Sequence, residues 1–544
     1  MIDFKPFEYQ QPMIDWLKER KEAALFCSPG LGKSVCTLSA WKWLYDDLAS
    51  KGVLIIAPIR VCNITWPNEL EKWSFCKGLR IANLRTPEGI EMWEKGTADV
   101  YVLNSEQLNT REVHKLCPEC KDGRRWLLTF PYPGWSPREF LGDTKAEIIE
   151  QIEEAYPDFD WQEEGCKLTH FRRDRCECCL DEGTISSKYP GFIAKHIKGK
   201  KKHELPVDTL VIDELSLAKS HKSKRFEALR AWRPFFDRVW GLTGTPAPNS
   251  YLDLWAQVRF LDDGKRLGRT FTKYKDMFFR DTAPADENGE KSYSKLVIKS
   301  SAKEVIEDKI SDLCLTMLSD DYLDVPTPNY EDRVISLNKK ARAEYDEMER
   351  ELLLQLEEGD VQALNAAALT NKLLQITGGA VYDSDKNVHD LHTDKIKALR
   401  KIIKDHPGEP ILVMTQFKHE RARILKAIKG SQEFSEEGMG PWQAGEIPVW
   451  VADPRSMSHG IDGIQDGGRI IVWFTLTYSN ETYIQANARI VRTGQSSVAQ
   501  VYRIIAENTI DDAVADAIRA KGDQQEGLFT ALKNLQRIHE LKVA

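Results

Sequence analysis

The 544-residue sequence lacks long hydrophobic runs and has no excess of positive charge. Its most apolar stretches, such as Val53 to Pro58 and Arg469 to Leu476, are far shorter than the ~18 apolar residues of a spanning helix, so no membrane span is expected. A net charge of -8 means that a polyanionic partner would have to be held by local basic patches. The first ten residues lack the apolar run of a secretory signal, which predicts an intracellular, cytoplasmic protein.

The composition is that of a globular protein, with 42% hydrophobic and 29% charged residues. At roughly 100 to 200 residues per domain, the length predicts about three or four structural units. Eleven cysteines in so long a chain do not indicate a disulfide framework, but six of them lie between Cys117 and Cys179, which indicates metal binding.

Short apolar runs, each followed directly by polar residues, Gly or Pro, predict two α/β sheets of buried parallel strands. The first set of runs is Ala23–Phe26, Val53–Ala57, Val100–Leu103, Thr209–Ile212 and Val239–Leu242. The second set is Ile411–Met414, Val449–Val451, Ile470–Phe474 and Val501–Ile504. Helical periodicity from Tyr345 to Ile376 predicts helices that bridge the two sets. Because ligands of such sheets bind at the carboxyl ends of the strands, the loops there should carry the chemistry.

The first predicted strand runs into a glycine-rich loop, Cys27-Ser-Pro-Gly-Leu-Gly-Lys-Ser34, and then into a helix-compatible segment. Glycines let the backbone N–H groups wrap a phosphate, Lys33 supplies a cation for the β and γ phosphates, and Ser34 supplies a hydroxyl for Mg²⁺. Cys27 stands where the usual pattern has its first glycine. The predicted nucleotide contacts are Pro29, Gly30, Leu31, Gly32, Lys33 and Ser34.

Two further strand ends complete the first half of a nucleotide site. Asp213 and Glu214 follow an apolar strand; Asp213 would hold Mg²⁺ through water and Glu214 would polarise the attacking water. Thr243 to Pro246 follows the next strand and on its own would be a turn.

The second half of the site is predicted in Gln485 to Gln495. If this stretch begins as a helix, Arg489 and Arg492 share a face, which suits two guanidinium groups that reach a γ-phosphate across a cleft. The alternative is a solvated basic helix face.

Taken together, these motifs resemble the superfamily-two helicases and, within them, the Swi/Snf-type DNA translocases, in a compact prokaryotic or phage version that would act in a bacterial host. Motif VI, at Gln485 to Gln495, follows the QxxxRxxRxGQ pattern. The other resembling segments are Pro6 to Gln10, whose Gln10 would read adenine, Ala57-Pro58 (motif Ia), Asp213-Glu214 (motif II), Thr243 to Pro246 (motif III), Gln416-Phe417 (motif IV) and Ser458 to Gly463 (motif V).

The resemblance covers about residues 7–110, 205–275 and 330–510 and implies two RecA-like lobes that close on ATP and move along a nucleic-acid backbone. It adds Gly460, Asp462 and Gln485 as nucleotide contacts and Thr243 and Thr245 as coupling residues. Motif II reads Asp-Glu-Leu-Ser where the family commonly has Asp-Glu-Ala-His, so Ser216 replaces the usual coupling histidine. The predicted domains are lobe 1 (1–109 and 205–265), a Cys-rich insertion (110–204), a helical protrusion and linker (266–380) and lobe 2 (381–544).

Two CxxC pairs in the insertion predict a structural zinc site. Each pair is soon followed by a glycine that permits a tight turn around sulfur, as a tetrahedral thiolate site requires. The predicted ligands are Cys117, Cys120, Cys176 and Cys179. Cys178 could substitute for a neighbour, and Cys166 and His170 are weaker candidates; free thiols in a loop are the alternative.

Two basic clusters are candidate phosphate contacts, although such clusters are often only solvated faces. Their members are Lys198, Lys200, Lys201 and Lys202 before motif II, and Lys222, Lys224 and Arg225 after it.

The sequence therefore predicts an ATP hydrolase with Mg²⁺ and structural Zn²⁺ that moves along nucleic acid, duplex DNA being favoured and RNA remaining open. Lys33, Asp213, Glu214, Arg489 and Arg492 would carry the reaction. The alternatives are a strand-separating DNA or RNA helicase and a zinc-bearing nucleic-acid adaptor that uses ATP only as a switch. A protein partner such as a nuclease is not shown by the sequence.

Overall fold

The computed structural model describes most of the chain in two compact units, one of residues 1–106 and 199–544 and one of residues 107–198. The described residues are 1–108, 111–116, 125–129, 138–141, 167–171, 184–189, 192, 196–197, 199–247, 250–282, 296–323, 326–357, 363–383, 386–457, 463–492 and 497–521. Residues in 111–189, 351–357 and 363–369 are described by backbone only.

Seven of the described strands form the first sheet of the larger unit, and all pair in parallel. In chain order they are β1 (Glu22–Cys27), β2 (Val53–Ala57), β3 (Ile81–Asn83), β4 (Val100–Asn104), β5 (Thr209–Asp213), β6 (Arg238–Thr243) and β7 (Cys314–Met317). Their order across the sheet is β7-β1-β6-β5-β2-β4-β3. The three strands that end in the glycine-rich loop, motif III and motif II are therefore neighbours, with their carboxyl ends at one edge.

Six described strands form the second sheet, again all parallel. They are β8 (Asn329–Ile335), β9 (Ile411–Met414), β10 (Ser431–Glu433), β11 (Val449–Ala452), β12 (Ile470–Trp473) and β13 (Gln500–Ala506). Their order is β8-β13-β12-β9-β11-β10. The prediction of two parallel α/β sheets is confirmed.

Both faces of the second sheet are buried, which explains its continuous apolar strands. In β9, Leu412 and Met414 belong to the hydrophobic cluster on one face, while Ile411 and Val413 belong to the cluster on the other. Successive side chains of a strand point to opposite faces, so a strand covered on both sides has no polar position to alternate with.

Helices cover the sheets and connect the strands. They are α1 (Gln10–Glu19), α2 (Lys33–Asp46), α3 (Trp66–Lys72), α4 (Pro87–Lys95), α5 (Lys224–Trp232), α6 (Leu252–Asp262), α7 (Phe271–Phe278), α8 (Ala302–Ile310), α9 (Lys339–Glu357), α10 (Ala363–Gly378), α11 (Asp394–Asp405), α12 (Lys418–Ala427), α13 (Met439–Gln443), α14 (Pro454–Met457) and α15 (Asn480–Asn487). Residues 510–521 are also helical. Among the described residues, no helix combines the length and apolar character needed to cross a bilayer.

The region assigned from sequence to a helical protrusion and linker, 266–380, contains strands of both sheets. Strand β7 is an edge strand of the first sheet and β8 an edge strand of the second. Strand β8 escaped detection because its centre is Glu331-Asp332-Arg333, which breaks the apolar pattern. Each lobe's sheet therefore extends into the region predicted to be a helical protrusion and linker.

The smaller unit contains two antiparallel sheets among its described residues. Strand Arg111–Leu116 pairs with Thr184–Tyr189, and Arg125–Thr129 pairs with both Arg138–Leu141 and Lys167–Phe171. The first of these pairs joins strands that lie near the two ends of the smaller unit.

Candidate active site

The glycine-rich loop lies between β1 and α2. Gly30 and Gly32 have φ values of +91° and +82°, which favour glycine, and a Cβ atom on Gly32 would collide with the Gln10 amide. Helix α2 begins at Lys33, so its free N–H groups face the loop. The Lys33 Nζ donates to the Cys27 carbonyl at 2.8 Å, which holds the cation over the loop.

Gln10 is attached to this loop and is 5% exposed. Its Nε2 donates to the Leu31 carbonyl at 3.2 Å, and its Oε1 accepts from the Phe7 N–H at 3.1 Å. Tyr9 stacks on Phe7 with ring centroids 5.6 Å apart. The segment Pro6 to Gln10 is thus hydrogen-bonded to the glycine-rich loop through Gln10. Recognition of adenine by Gln10 stays a prediction.

Asp213 ends β5, two strands away from β1. Its Oδ2 accepts a hydrogen bond from the indole Nε1 of Trp66 at 2.9 Å. Desolvation raises the pKa of Asp213 to about 6, while the charge of Lys33 and the Trp66 hydrogen bond oppose the increase. Trp66 was not selected from the sequence, because nothing in its neighbourhood distinguishes it from a core tryptophan.

Glu214 has a left-handed backbone conformation, with φ +79° and ψ +76°, which costs on the order of 1–3 kcal/mol for such a residue. Its N–H donates to the Leu242 carbonyl at 2.9 Å, and its Oε1 accepts from the Thr243 hydroxyl at 2.6 Å. The Thr245 N–H in turn donates to Thr243 Oγ1 at 3.0 Å. Motif III therefore fixes the carboxylate, and desolvation raises the pKa of Glu214 above its usual value.

The second lobe reaches the same carboxylate. Gln485, on α15, is 6% exposed and donates from Nε2 to Glu214 Oε2 at 3.1 Å. A second contact between the lobes joins Arg60, which follows motif Ia, to the Ser456 carbonyl at 2.9 Å and to the Glu436 carboxylate. Residues far apart in the chain thus converge around the end of β5.

The two arginines of motif VI do not lie on a helix, because α15 ends at Asn487 before either of them. The chain continues in turns, and the Arg492 Nε donates to the Ala488 carbonyl at 2.9 Å. Desolvation lowers the pKa of Lys33, and the positive charge of Arg492 contributes in the same direction. Arg489 lies partly buried one turn earlier. The helical arrangement predicted for the pair was therefore wrong.

Several predicted residues lie outside the described residues. They are Lys198, Gly460, Asp462 and the cysteines Cys117, Cys120, Cys176 and Cys179. Among the side chains that are described, no cluster of His, Cys, Asp and Glu could hold a metal ion. The other basic candidates, Lys200, Lys201, Lys202, Lys222, Lys224 and Arg225, are exposed or partly exposed.

The residues at the loop fit Mg-ATP. Ser34, partly buried in the first turn of α2, and Asp213 offer the hydroxyl and carboxylate oxygens that Mg²⁺ prefers. The positive-φ glycines leave the cradle free of Cβ atoms, and Gly244 of motif III packs against it, since a Cβ there would lie 3.1 Å from Pro29 Cδ.

Comparisons with known proteins agree with these motifs. The family model described as SNF2-related domain matches residues 185–378. Putative protein p41 of Acyrthosiphon pisum secondary endosymbiont phage 1 is 30% identical over 550 residues, covering 98% of this chain and 100% of the phage protein. An uncharacterized ATP-dependent helicase of Mycoplasma genitalium is 26% identical over 350 residues, covering 60% of this chain but only 31% of that protein.

Among solved structures, the Sulfolobus solfataricus SWI2/SNF2 ATPase core in complex with dsDNA is similar at 17% identity and a TM-score of 0.38, with 97% of this chain and 94% of that chain covered. The chain matches the phage protein over its full length, and its residues 185–378 match the SNF2-related domain: the chain belongs to the SNF2-related family of helicase-like ATPases.

Proposed function

We propose that the protein is an ATP-driven motor that translocates along double-stranded DNA. The observation that carries the proposal is the hydrogen bond from Gln485 of the second lobe to Glu214 of the first, beside the loop that Lys33 occupies. A site assembled from two lobes can convert nucleotide turnover into relative lobe movement. The choice of duplex DNA rests on the resemblance of the motifs to Swi/Snf-type translocases.

In this mechanism the first lobe binds the nucleotide and the second completes the site. Lys33 neutralises the phosphates, and Ser34 and Asp213 would hold Mg²⁺, which supplies further positive charge when bound. Glu214, fixed by Thr243, accepts a proton from the attacking water. The Oε1 atom of Gln485 is buried and has no hydrogen-bond partner among the described residues. It can therefore accept a hydrogen bond from the other O–H group of the attacking water.

One ATPase assay tests the proposal by comparing no nucleic acid, single-stranded DNA, duplex DNA and RNA. Duplex DNA is expected to stimulate turnover most, and the protein should displace a triplex-forming strand without unwinding the duplex. Unwinding without triplex displacement would instead identify a strand-separating helicase. Turnover that no polynucleotide changes would favour an adaptor that uses ATP as a switch.

We also propose that the smaller unit binds one structural zinc ion. The strand ending at Leu116 precedes Cys117 directly and pairs with Thr184, five residues after Cys179. In the sequence, both CxxC pairs therefore adjoin the end of the ladder at which Leu116 pairs with Thr184. Thiolate zinc in small sites contributes on the order of 10–16 kcal/mol of binding free energy, enough to stabilise an insertion with a small core.

The zinc proposal predicts about one zinc ion per purified chain, measured by inductively coupled plasma mass spectrometry. Replacing Cys117 and Cys176 by Ser should remove the metal and make the insertion sensitive to protease. Cys166→Ser distinguishes the four favoured ligands from this weaker candidate and should keep the metal. Metal-free parent protein that resists protease as well as the untreated protein would contradict the proposal.

The basic cluster before motif II gives a second prediction. Lys200, Lys201 and Lys202 are exposed or partly exposed, and Lys202 pairs with Asp237. If all three lysines contact phosphates, replacing them by Ala should reduce the slope of log K against log salt by about 2–3. The slope would be measured by fluorescence anisotropy on duplex DNA of several sequences, which should all weaken alike. A control triple variant of Lys77, Lys404 and Lys429, exposed elsewhere, should keep the parental slope.

A further inference from the structure

Ser216, at the position of the usual coupling histidine, contacts the second lobe. It is 2% exposed, and its hydroxyl donates to Glu481 Oε1 at 2.5 Å. The ammonium group of Lys219, three residues later, binds the other oxygen of Glu481, also at 2.5 Å. Both oxygens of one carboxylate from the second lobe are therefore held by the turn that follows motif II.

Glu481 and Gln485 present one face of α15 to motif II. Glu481 lies in the first turn of the helix, which Ser479 caps by accepting from the Thr482 N–H at 3.2 Å. Gln485 follows four residues later, so the two side chains are neighbours on the helix surface. One helical face thus contacts two residues of motif II, Glu214 and Ser216, and Lys219 in the turn that follows the motif.

We propose that Glu481 is a positioning residue for ATP hydrolysis. By binding Ser216 and Lys219, it fixes α15 in the place from which Gln485 reaches Glu214. The inference rests on the proposed ATP hydrolysis but assigns a role to a residue outside the nucleotide motifs.

The burial of the contact distinguishes it from an ordinary surface ion pair. The side chains of Glu481 and Lys219 are 15% and 31% exposed, and the Ser216 hydroxyl is buried with them. Solvent-exposed ion pairs contribute little stabilising free energy. Removing a charge-assisted hydrogen bond from a partly buried carboxylate costs more, because the carboxylate is left without its partner. Removing either side of the contact should therefore move α15, and with it Gln485, away from Glu214.

A double-mutant cycle of Ser216→Ala and Glu481→Gln tests the proposal, with kcat and KM for ATP measured at saturating duplex DNA. Each single variant should lower kcat about tenfold with little change in KM, and the double variant should be no worse than Glu481→Gln alone. Lys219→Met should also lower kcat, whereas Lys219→Arg, which keeps the cation, should restore it. Glu446→Gln, an exposed acid of the same lobe, is the matched control and should behave as the parent.

Thermal melting of each variant separates positioning from folding. The proposal is supported if kcat falls while the melting temperature of Lys219→Met stays near that of the parent. Additive losses of kcat in the cycle, or a Glu481→Gln protein with parental kcat, would overturn the positioning role of Glu481. The proposed function would still stand in that case if Lys33→Ala is inactive. A parent protein that hydrolyses no ATP with any polynucleotide would overturn both.

Discussion

Replacing Glu214 by Gln is expected to lower the kcat for ATP by about 10²–10⁴-fold, the usual contribution of a general base. Gln keeps the size of the side chain and an oxygen for the Thr243 hydroxyl, but it cannot take a proton from the attacking water. Because the phosphate-binding loop is unchanged, KM for ATP should change little. Phosphate release at saturating duplex DNA measures the effect.

Two comparisons make this experiment specific. Lys33→Ala removes the cation that lies over the loop and should weaken ATP binding as well as turnover, which equilibrium binding of a fluorescent ATP analogue would show. Glu446→Gln removes an exposed carboxylate of the second lobe and should leave both quantities unchanged. If Glu214→Gln or Lys33→Ala hydrolyses ATP as fast as the parent, the assignment of this loop as the active site fails.

The central strands could be predicted from the sequence because their burial determines their own residue pattern. A strand buried on both faces needs an unbroken apolar run, as in β2 and β9, and the polar residues that follow it mark the carboxyl end. The glycine-rich loop and Asp213-Glu214 could therefore be assigned to one edge of a sheet without coordinates. The edge strand β8 could not be predicted in the same way, since it needs to bury only part of its surface and carries charges.

The contacts between the lobes were harder to predict because they depend on which helix face meets which turn. Glu481 is an acidic residue in the first turn of a helix, a common position because its negative charge interacts favourably with the helix dipole. Its spacing of four residues from Gln485 was a usable signal, but only after Gln485 had been placed. Trp66 and Arg60 carried no comparable signal, because their partners are 147 and 396 residues away in the chain.

The end of α15 explains why the spacing of the two motif VI arginines was misleading. The Asn487 side chain accepts from the Trp473 indole at 2.9 Å, and the chain leaves the helix at the next residue. Arg492 is then oriented by its bond to the Ala488 carbonyl. Roles for Arg489 and Arg492 in hydrolysis stay predictions. The two arginines need not be equivalent, since the positive charge of Arg492 contributes to lowering the pKa of Lys33.

Replacing Arg492 by Ala is accordingly expected to lower kcat by about 10³–10⁵-fold, the contribution of an arginine finger to phosphoryl transfer. Arg492→Lys should restore little, because an ammonium group cannot provide the planar fork of a guanidinium. ATP binding should be weakened far less than turnover, because the glycine-rich loop and Lys33 of the first lobe would still hold the phosphates. Arg400→Ala, an exposed arginine of the same lobe, is the control and should match the parent. A parental rate for Arg492→Ala, or an equal loss for Arg400→Ala, would show that the second lobe does not supply this charge to the reaction.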